Sequence, residues 1–211
     1  MSYWESVWKR MTTNPALSKM LGVAQNHTKS LMAKHVVPFA ENPKSICELG
    51  CGSATGSLFL ASLLPGVKVF LIDLNERILK IAEERFKDAG MEVETLNIDI
   101  FTLDFKQKFD IVHSGGLLEH FDNPEDVLNA HVNFTKKGGI SFISIPRNCW
   151  YWNGFIFLMK LLKREFVDQK NYKTCEFIEV VKNAYKKKPD FKVVDFSCEG
   201  IDITLTTKKM K

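Results

Sequence analysis

The sequence predicts a doubly wound, mainly parallel α/β sheet of about seven strands, with a helical cap at its N-terminus. Three observations carry that prediction. From Lys44 onward, short apolar runs alternate with amphipathic segments, the pattern of strands joined by crossover helices. The first run leads straight into a glycine-rich loop, as a nucleotide-type binding loop does. The last two runs flank Glu199-Gly200, which predicts an antiparallel hairpin closing the sheet.

The cap comes first. Ser2-Tyr3-Trp4-Glu5 has a capping-box pattern, and Trp4, Val7, Trp8 and Met11 recur at helical spacing. Asn14-Pro15 then starts a second helix. The runs 45–49, 67–72, 93–98, 109–113 and 140–145 are the first five strands, spaced widely enough for crossovers. After the second, Ile78, Ala82 and Phe86 share one helical face, charges fill the other, and Gly90 supplies the stop. Asn123-Pro124 opens a further helix with Glu125 and Asp126 in its first turn, and Lys136-Lys137-Gly138 is read as its end. Phe177, Val180, Val181, Ala184 and Tyr185 form the last helical stripe, stopped by Pro189, and the runs 191–198 and 201–207 make the hairpin.

Composition narrows the function. At 211 residues, with 45% apolar and 26% charged, the chain fits one domain with a sizeable core. A formal charge of +4 falls short of the clustered basic face of a nucleic-acid binder, and Lys186-Lys187-Lys188 reads as a helix C-terminus, so no nucleic-acid partner is expected. Five cysteines, an odd count without a CxxC pair, suggest neither a disulfide framework nor a zinc site and fit a reducing cytoplasm. No leader peptide is expected, since Trp4, Glu5 and Trp8 stand where its apolar core would begin. The most apolar stretch, 149–162, is interrupted by Asn153, Gly154 and Lys160. It falls short of the ~20 residues of a membrane span.

The chemistry concentrates after the first strand. In Glu48-Leu49-Gly50-Cys51-Gly52-Ser53-Ala54-Thr55-Gly56 the glycines permit a tight turn and the close approach of a ligand to the following helix. Asp73 follows Gly52 by 21 residues, at the end of the second strand, where an acidic residue would bind ribose hydroxyls. A nicotinamide enzyme would share both features. No Tyr-x-x-x-Lys pair accompanies them, which removes the short-chain dehydrogenases from consideration.

Glu48-x-Gly50-x-Gly52 resembles motif I of class I S-adenosylmethionine-dependent methyltransferases, and Asp73 matches the acidic residue that closes their second strand. Asn97-Ile98-Asp99-Ile100 is similar to that family's adenine-facing segment, and Phe109-Asp110-Ile111-Val112-His113-Ser114 to its fourth strand. Leu118-Glu119-His120-Phe121 resembles the Leu-Glu-His segment of many small-molecule members, and Lys136-Lys137-Gly138-Gly139 stands where Lys-Pro-Gly-Gly is usual. Ala54 and Lys137 depart from the pattern, replacing a glycine and a proline. The resemblance spans about residues 44–146 and implies a Rossmann-like methyltransferase fold with S-adenosyl-L-methionine as cofactor.

It also implies roles for residues. Gly50, Cys51 and Gly52 would pack against the methionine part of the cofactor, with Glu48 holding its amino end; Asp73, followed by Leu74, would bind ribose. Asp99 and Ile100 would read adenine, and Ser114 and Gly115 would lie near the sulfonium. Plainer readings stay open: Glu48 as a partnered buried carboxylate, and Asp73 as the cap of the helix after Asn75. His120 is the candidate general base if the acceptor is a hydroxyl or protonated amine, since imidazole titrates near neutrality; it could equally cap or pack against its loop. His113 reads as a hydrogen-bonded core histidine. Glu119-His120 is similar to the end of the Glu-x-x-Glu-His ligand set of metal-assisted methyltransferases, but Gly116 stands at the first position and no histidine follows His131, so no metal is expected.

The acceptor is assigned to the variable segments. On this reading 1–42 is the helical cap, 43–145 the cofactor-binding core, 146–176 a substrate lid, and 177–211 the closing helix and hairpin of a single domain. Trp150, Tyr151 and Trp152 would wall a pocket for a small apolar or aromatic acceptor. The same stretch, 149–164, could instead touch a membrane surface or form a lid or dimer contact. The expected activity is methyl transfer to a small molecule; an RNA or protein substrate, or a silent cofactor-binding subunit that activates a partner, are the alternatives.

Overall fold

A computed structural model describes residues 15–102, 108–149, 153, 170–186 and 188–210. The predicted first helix around Trp4 and Trp8, and the aromatic residues Trp150, Tyr151 and Trp152, lie outside the described residues. The strands are β1 (Ser45–Leu49), β2 (Lys68–Asp73), β3 (Glu94–Asn97), β4 (Phe109–Gly115), β5 (Thr135–Pro146), β6 (Phe191–Glu199) and β7 (Asp202–Lys209). The helices are α1 (Pro15–His35), α2 (Thr55–Leu63), α3 (Glu76–Asp88), α4 (Pro124–Phe134) and α5 (Thr174–Tyr185).

The seven strands form one sheet in the order β3-β2-β1-β4-β5-β7-β6. The first five run parallel, and β7 enters antiparallel between β5 and β6, so the predicted doubly wound sheet and its closing hairpin are both present. Strand alternation divides the core between two faces. Ile46, Leu71 and Ile111 pack with Leu31, Leu60 and Phe86 from α1, α2 and α3, while Cys47 and Val112 pack with Ala130 and Phe134 from α4. On that second face α4 and α5 meet over β5 and β7 through Leu128, Phe177, Val181 and Leu205.

Local chemistry sets most boundaries where the sequence placed them. Asn75 caps α3 by accepting from the amides of Arg77 and Ile78 (3.1 and 3.3 Å), and Gly90 follows its end at φ +69°. One boundary differs. The helix expected to reach Lys136-Lys137-Gly138 ends at Phe134, and Thr135 already belongs to β5, paired with Phe109. Pairing with β4 wins there because Lys136 forms an ion pair with Asp110 and Gly139 lets the strand press against β4: a Cβ on it would stand 2.8 Å from the Asp110 carbonyl oxygen.

The topology fixes where a ligand belongs. The strand order runs outward in both directions from β1 and β4, so the chain's crossovers diverge at that pair and leave a cleft beyond the carboxyl ends of the two strands. No helix among the described residues is long and apolar enough to cross a membrane.

Candidate functional site

A cavity of about 930 Å³ occupies that cleft. Its walls come from the ends of β1, β2 and β4, the loop after β3, and α1, which contributes Gln25, Thr28 and Met32. Of the residues singled out in the sequence, Glu48, Gly50, Cys51, Gly52, Asp73, Leu74, Asp99, Ile100, Gly115 and His120 all line it.

The loop after β1 owes its shape to positive φ angles at Gly50 (+63°) and Gly52 (+49°). Ala54 also adopts the left-handed region at φ +53°, which explains why glycine would serve at that position and shows that alanine holds the same turn. At Gly50 a side chain has no room: its Cβ would stand 2.5 Å from Leu117 Cδ1. Asp73 fastens the loop to β2. One carboxylate oxygen accepts the Gly52 amide at 3.0 Å and the other the Asn75 amide at 2.9 Å. Asn75, not Asp73, is therefore the helix cap. Burial raises the Asp73 carboxyl above its ordinary range, against the pull of those amides.

Glu48 lies at the cavity floor, 6% exposed. Its Oε2 accepts the Ser57 amide at 3.3 Å. Burial lifts the carboxyl to about 8 despite hydrogen bonds from the Ser57 hydroxyl and amide; Asp73 adds to the lift and Arg85 opposes it. Cys51, beside it, has its thiol pushed up by burial and by the two carboxylates, so it is no nucleophile. Asp99 accepts the Phe101 amide at 2.9 Å in a tight turn, which presents Ile100 to the cavity.

The fourth strand divides its predicted pair. Gly115 faces the cavity, whereas Ser114 is fully buried on the other side with its Oγ 3.0 Å from His131 Nε2. Successive strand side chains face opposite ways, which turns the Ser114 hydroxyl to His131 and away from the cavity. His113 is a buried core histidine, as the sequence suggested, 2.8 Å from Ser57 Oγ. His120 sits at the cavity wall with its Nε2 4.0 Å from Glu119 Oε1. Glu119 is 3% exposed, its Oε2 has no hydrogen-bond partner among the described residues, and burial lifts its carboxyl to about 8. Among the described residues no group of three or more His, Cys, Asp or Glu side chains is disposed to hold a metal ion.

The sequence missed one wall. Phe121, Ser144, Pro146, Ile201 and Asp202 line the cavity near Gly116 and His120. Asp202 is paired with His27 of α1 at 3.0 Å, a contact between the two ends of the described chain. Its only local signal is its place directly after the hairpin turn.

Comparison with known proteins gives three results. The family described as methyltransferase domain matches residues 40–203. The ubiquinone biosynthesis O-methyltransferase of Idiomarina loihiensis is 33% identical over 135 residues, covering 63% of this chain and 51% of that protein. A protein of the same name from Pseudomonas putida is 31% identical over 136 residues, covering 61% and 58%. The chain thus spans about half the length of the curated relatives it matches. Among solved structures, magnesium protoporphyrin IX methyltransferase from Synechocystis with bound SAH superimposes with a TM-score of 0.75 at 14% identity, over 99% of this chain and 95% of that one. An S-adenosylmethionine-dependent methyltransferase from Clostridium acetobutylicum gives 0.69 at 15% identity over 99% of both chains. At such identities these likenesses bear on the fold.

Proposed function

The chain belongs to the methyltransferase-domain family, and from that premise we propose that it binds S-adenosyl-L-methionine in the strand-end cavity and transfers the methyl group to a small-molecule acceptor. The observation that carries this reading is the pair of carboxyl groups on the cavity wall, Glu48 buried at the floor and Asp73 tied to the glycine loop at 3.0 Å. The donor set fits that ligand. An ammonium and a sulfonium are cations that favour ionised Glu48, a ribose diol offers donors to Asp73, and Asp99 with Ile100 presents one polar and one apolar group to a purine.

When bound, S-adenosylmethionine supplies a methyl carbon already attached to a positive sulfur. The chain's part is then alignment and exclusion of water. Gly115 and Gly116 would leave the wall beside a bound sulfonium bare of side chains, and Leu117, Phe121 and Ile201 would supply apolar surface. His120 and Asp202 are the groups able to take or orient a proton at the acceptor end. An oxygen acceptor is supported by the name shared by the curated relatives. The aromatic composition of 149–164 supports an acceptor wall there, and its lysines a lipid-facing edge. We assign 43–145 to cofactor binding and 146–176 to acceptor cover within one domain. A cytoplasmic setting is supported by the five free cysteines.

Calorimetric titration with S-adenosylhomocysteine and, separately, NADH, repeated on Asp73→Ala, tests the cofactor assignment. Binding of S-adenosylhomocysteine that the substitution weakens is the expected result. Binding of NADH alone overturns it.

A further inference from the structure

Beneath the cavity floor, β4 carries an imidazole where an apolar side chain would fill the same space at lower cost. His113 is fully buried, its Nδ1 has no hydrogen-bond partner among the described residues, and its Nε2 lies 2.8 Å from Ser57 Oγ and 3.8 Å from Glu48 Oε2. Ser57 is itself fully buried; its amide donates to Glu48 Oε2 at 3.3 Å, and its hydroxyl pulls the Glu48 carboxyl down against burial. Once Glu48 is ionised its carboxylate can only accept, and the Ser57 hydroxyl can then donate to it while its oxygen accepts from His113 Nε2–H. In that state the imidazole carries its proton on Nε2. Gly56 makes the approach possible: a Cβ there would stand 3.1 Å from His113 Cε1 and 3.0 Å from Met32 Cε.

We propose that His113, acting through Ser57, is a positioning residue that readies Glu48 for the amino end of the cofactor, so that the site selects ligands carrying an ammonium group there. The inference rests on the cofactor reading above. Its physical basis is a one-way hydrogen-bond chain from His113 through Ser57 to Glu48, which favours the carboxylate without supplying a cation. Around Glu48 the facing groups are Asp73 from the end of β2, Arg85 from α3, and the thiols of Cys47 and Cys51. His113 is faced by Glu48 and by His131 of α4, and burial pushes both imidazoles down to about 3, so both stay neutral at physiological pH. With Arg85 also committed to Ser53 O and Thr55 Oγ1, the ligand's ammonium is the cation best placed to balance an ionised Glu48.

The test compares S-adenosylhomocysteine, which has the amino end, with methylthioadenosine, which lacks it, by calorimetry across about pH 6 to 9 on the wild type, His113→Phe and Ser57→Ala. In the wild type S-adenosylhomocysteine affinity rises with pH and levels off. Each variant is expected to weaken it roughly tenfold near neutrality and move the plateau to higher pH, a shift of about one pKa unit in Glu48. Methylthioadenosine affinity stays at the wild-type level. Equal losses on both ligands, or no loss on either, overturn the proposal by reducing His113 to core packing. If His113→Phe does not fold, Ser57→Ala breaks the same chain without touching the ring and decides alone. Failure of the wild type to bind either ligand would instead remove the cofactor reading, and this inference with it.

Discussion

His27 Nε2 in α1 and Asp202 Oδ2 at the start of β7 stand 3.0 Å apart, so the first described helix is tied to the last strand beside a cavity that both elements line. Gly200 makes room for the contact, because a Cβ there would lie 3.1 Å from the His27 ring. Further along α1, His35 bridges Asp195 (2.6 Å) and Glu199 (2.8 Å), and Lys34 reaches Glu199. The Asp202 hydrogen bond raises the His27 imidazole above its ordinary value, outweighing the opposing effect of burial. A raised histidine contributes stability that is complete below its unfolded value and is lost as pH rises through the folded one. Amide exchange protection of α1, corrected for intrinsic rates, should therefore fall as pH rises above the ordinary imidazole value of about 6.5. In Asp202→Asn that step should shrink; a step of the same size would sink the latch.

Glu119 predicts the same sign in a different place. Its carboxyl rises to about 8 because burial disfavours the charge, and among the described residues Oε2 has no partner to offset it. Stability from a raised carboxyl is present below about pH 4.5, its unfolded value, and drains away as pH climbs through the folded value. Glu119→Gln keeps the shape and cannot ionise. Its melting temperature should exceed the wild type's by several degrees near pH 9 and match it near pH 4. Equal effects at both pH values would show that Glu119 is not a buried titrating acid.

Two glycines separate backbone freedom from close approach. Gly22 lies within α1, and a Cβ added to it would meet nothing within 4 Å, so Gly22→Ala should stabilise the protein by about 1 kcal/mol through helix propensity. At Gly139 a Cβ would meet the carbonyl oxygens of Asp110 (2.8 Å), Lys136 (3.0 Å) and Phe109 (3.0 Å), backbone atoms that cannot swing aside. Gly139→Ala should cost more than about 2 kcal/mol by splaying β4 from β5. Chemical denaturation of both variants checks the pair; a mild loss at Gly139 would mean that β5 shifts freely there.

What the sequence made legible follows range of interaction. The loop from Glu48 to Gly56 is written locally, in glycines and a strand-end carboxylate, and Glu48, Gly50, Cys51, Gly52, Ser53, Thr55 and Gly56 line the cavity. The Asn75 cap and the Gly90 stop are local too. The lysines at 136 and 137 carry a plausible helix-end pattern, but pairing of Thr135 with Phe109 across β4 decides their conformation, and that contact is invisible to periodicity. Ser114 and Gly115 read as neighbours sharing a role until strand alternation sends Ser114 to His131. Asp202 needed its partner His27, 175 positions away, to stand out as part of the site.

The acceptor end yields the last expectation. His120 lines the cavity near Gly116 and Asp202, and its Nε2 is 4.0 Å from Glu119 Oε1. A displacement at a sulfonium carbon needs little covalent help from the protein, so a base matters only when the acceptor must lose a proton. With the hydroxyl acceptor returned by a labelled-methyl screen, His120→Ala should lower kcat by about 10²-fold and flatten the pH profile near neutrality. KM for the cofactor should hardly change. Asp202→Asn should instead raise the acceptor KM, because a carboxylate on the wall orients an O–H or N–H donor without taking its proton to solvent. Unchanged turnover in His120→Ala would make His120 scaffolding and leave alignment by the cavity walls as the whole of the catalysis.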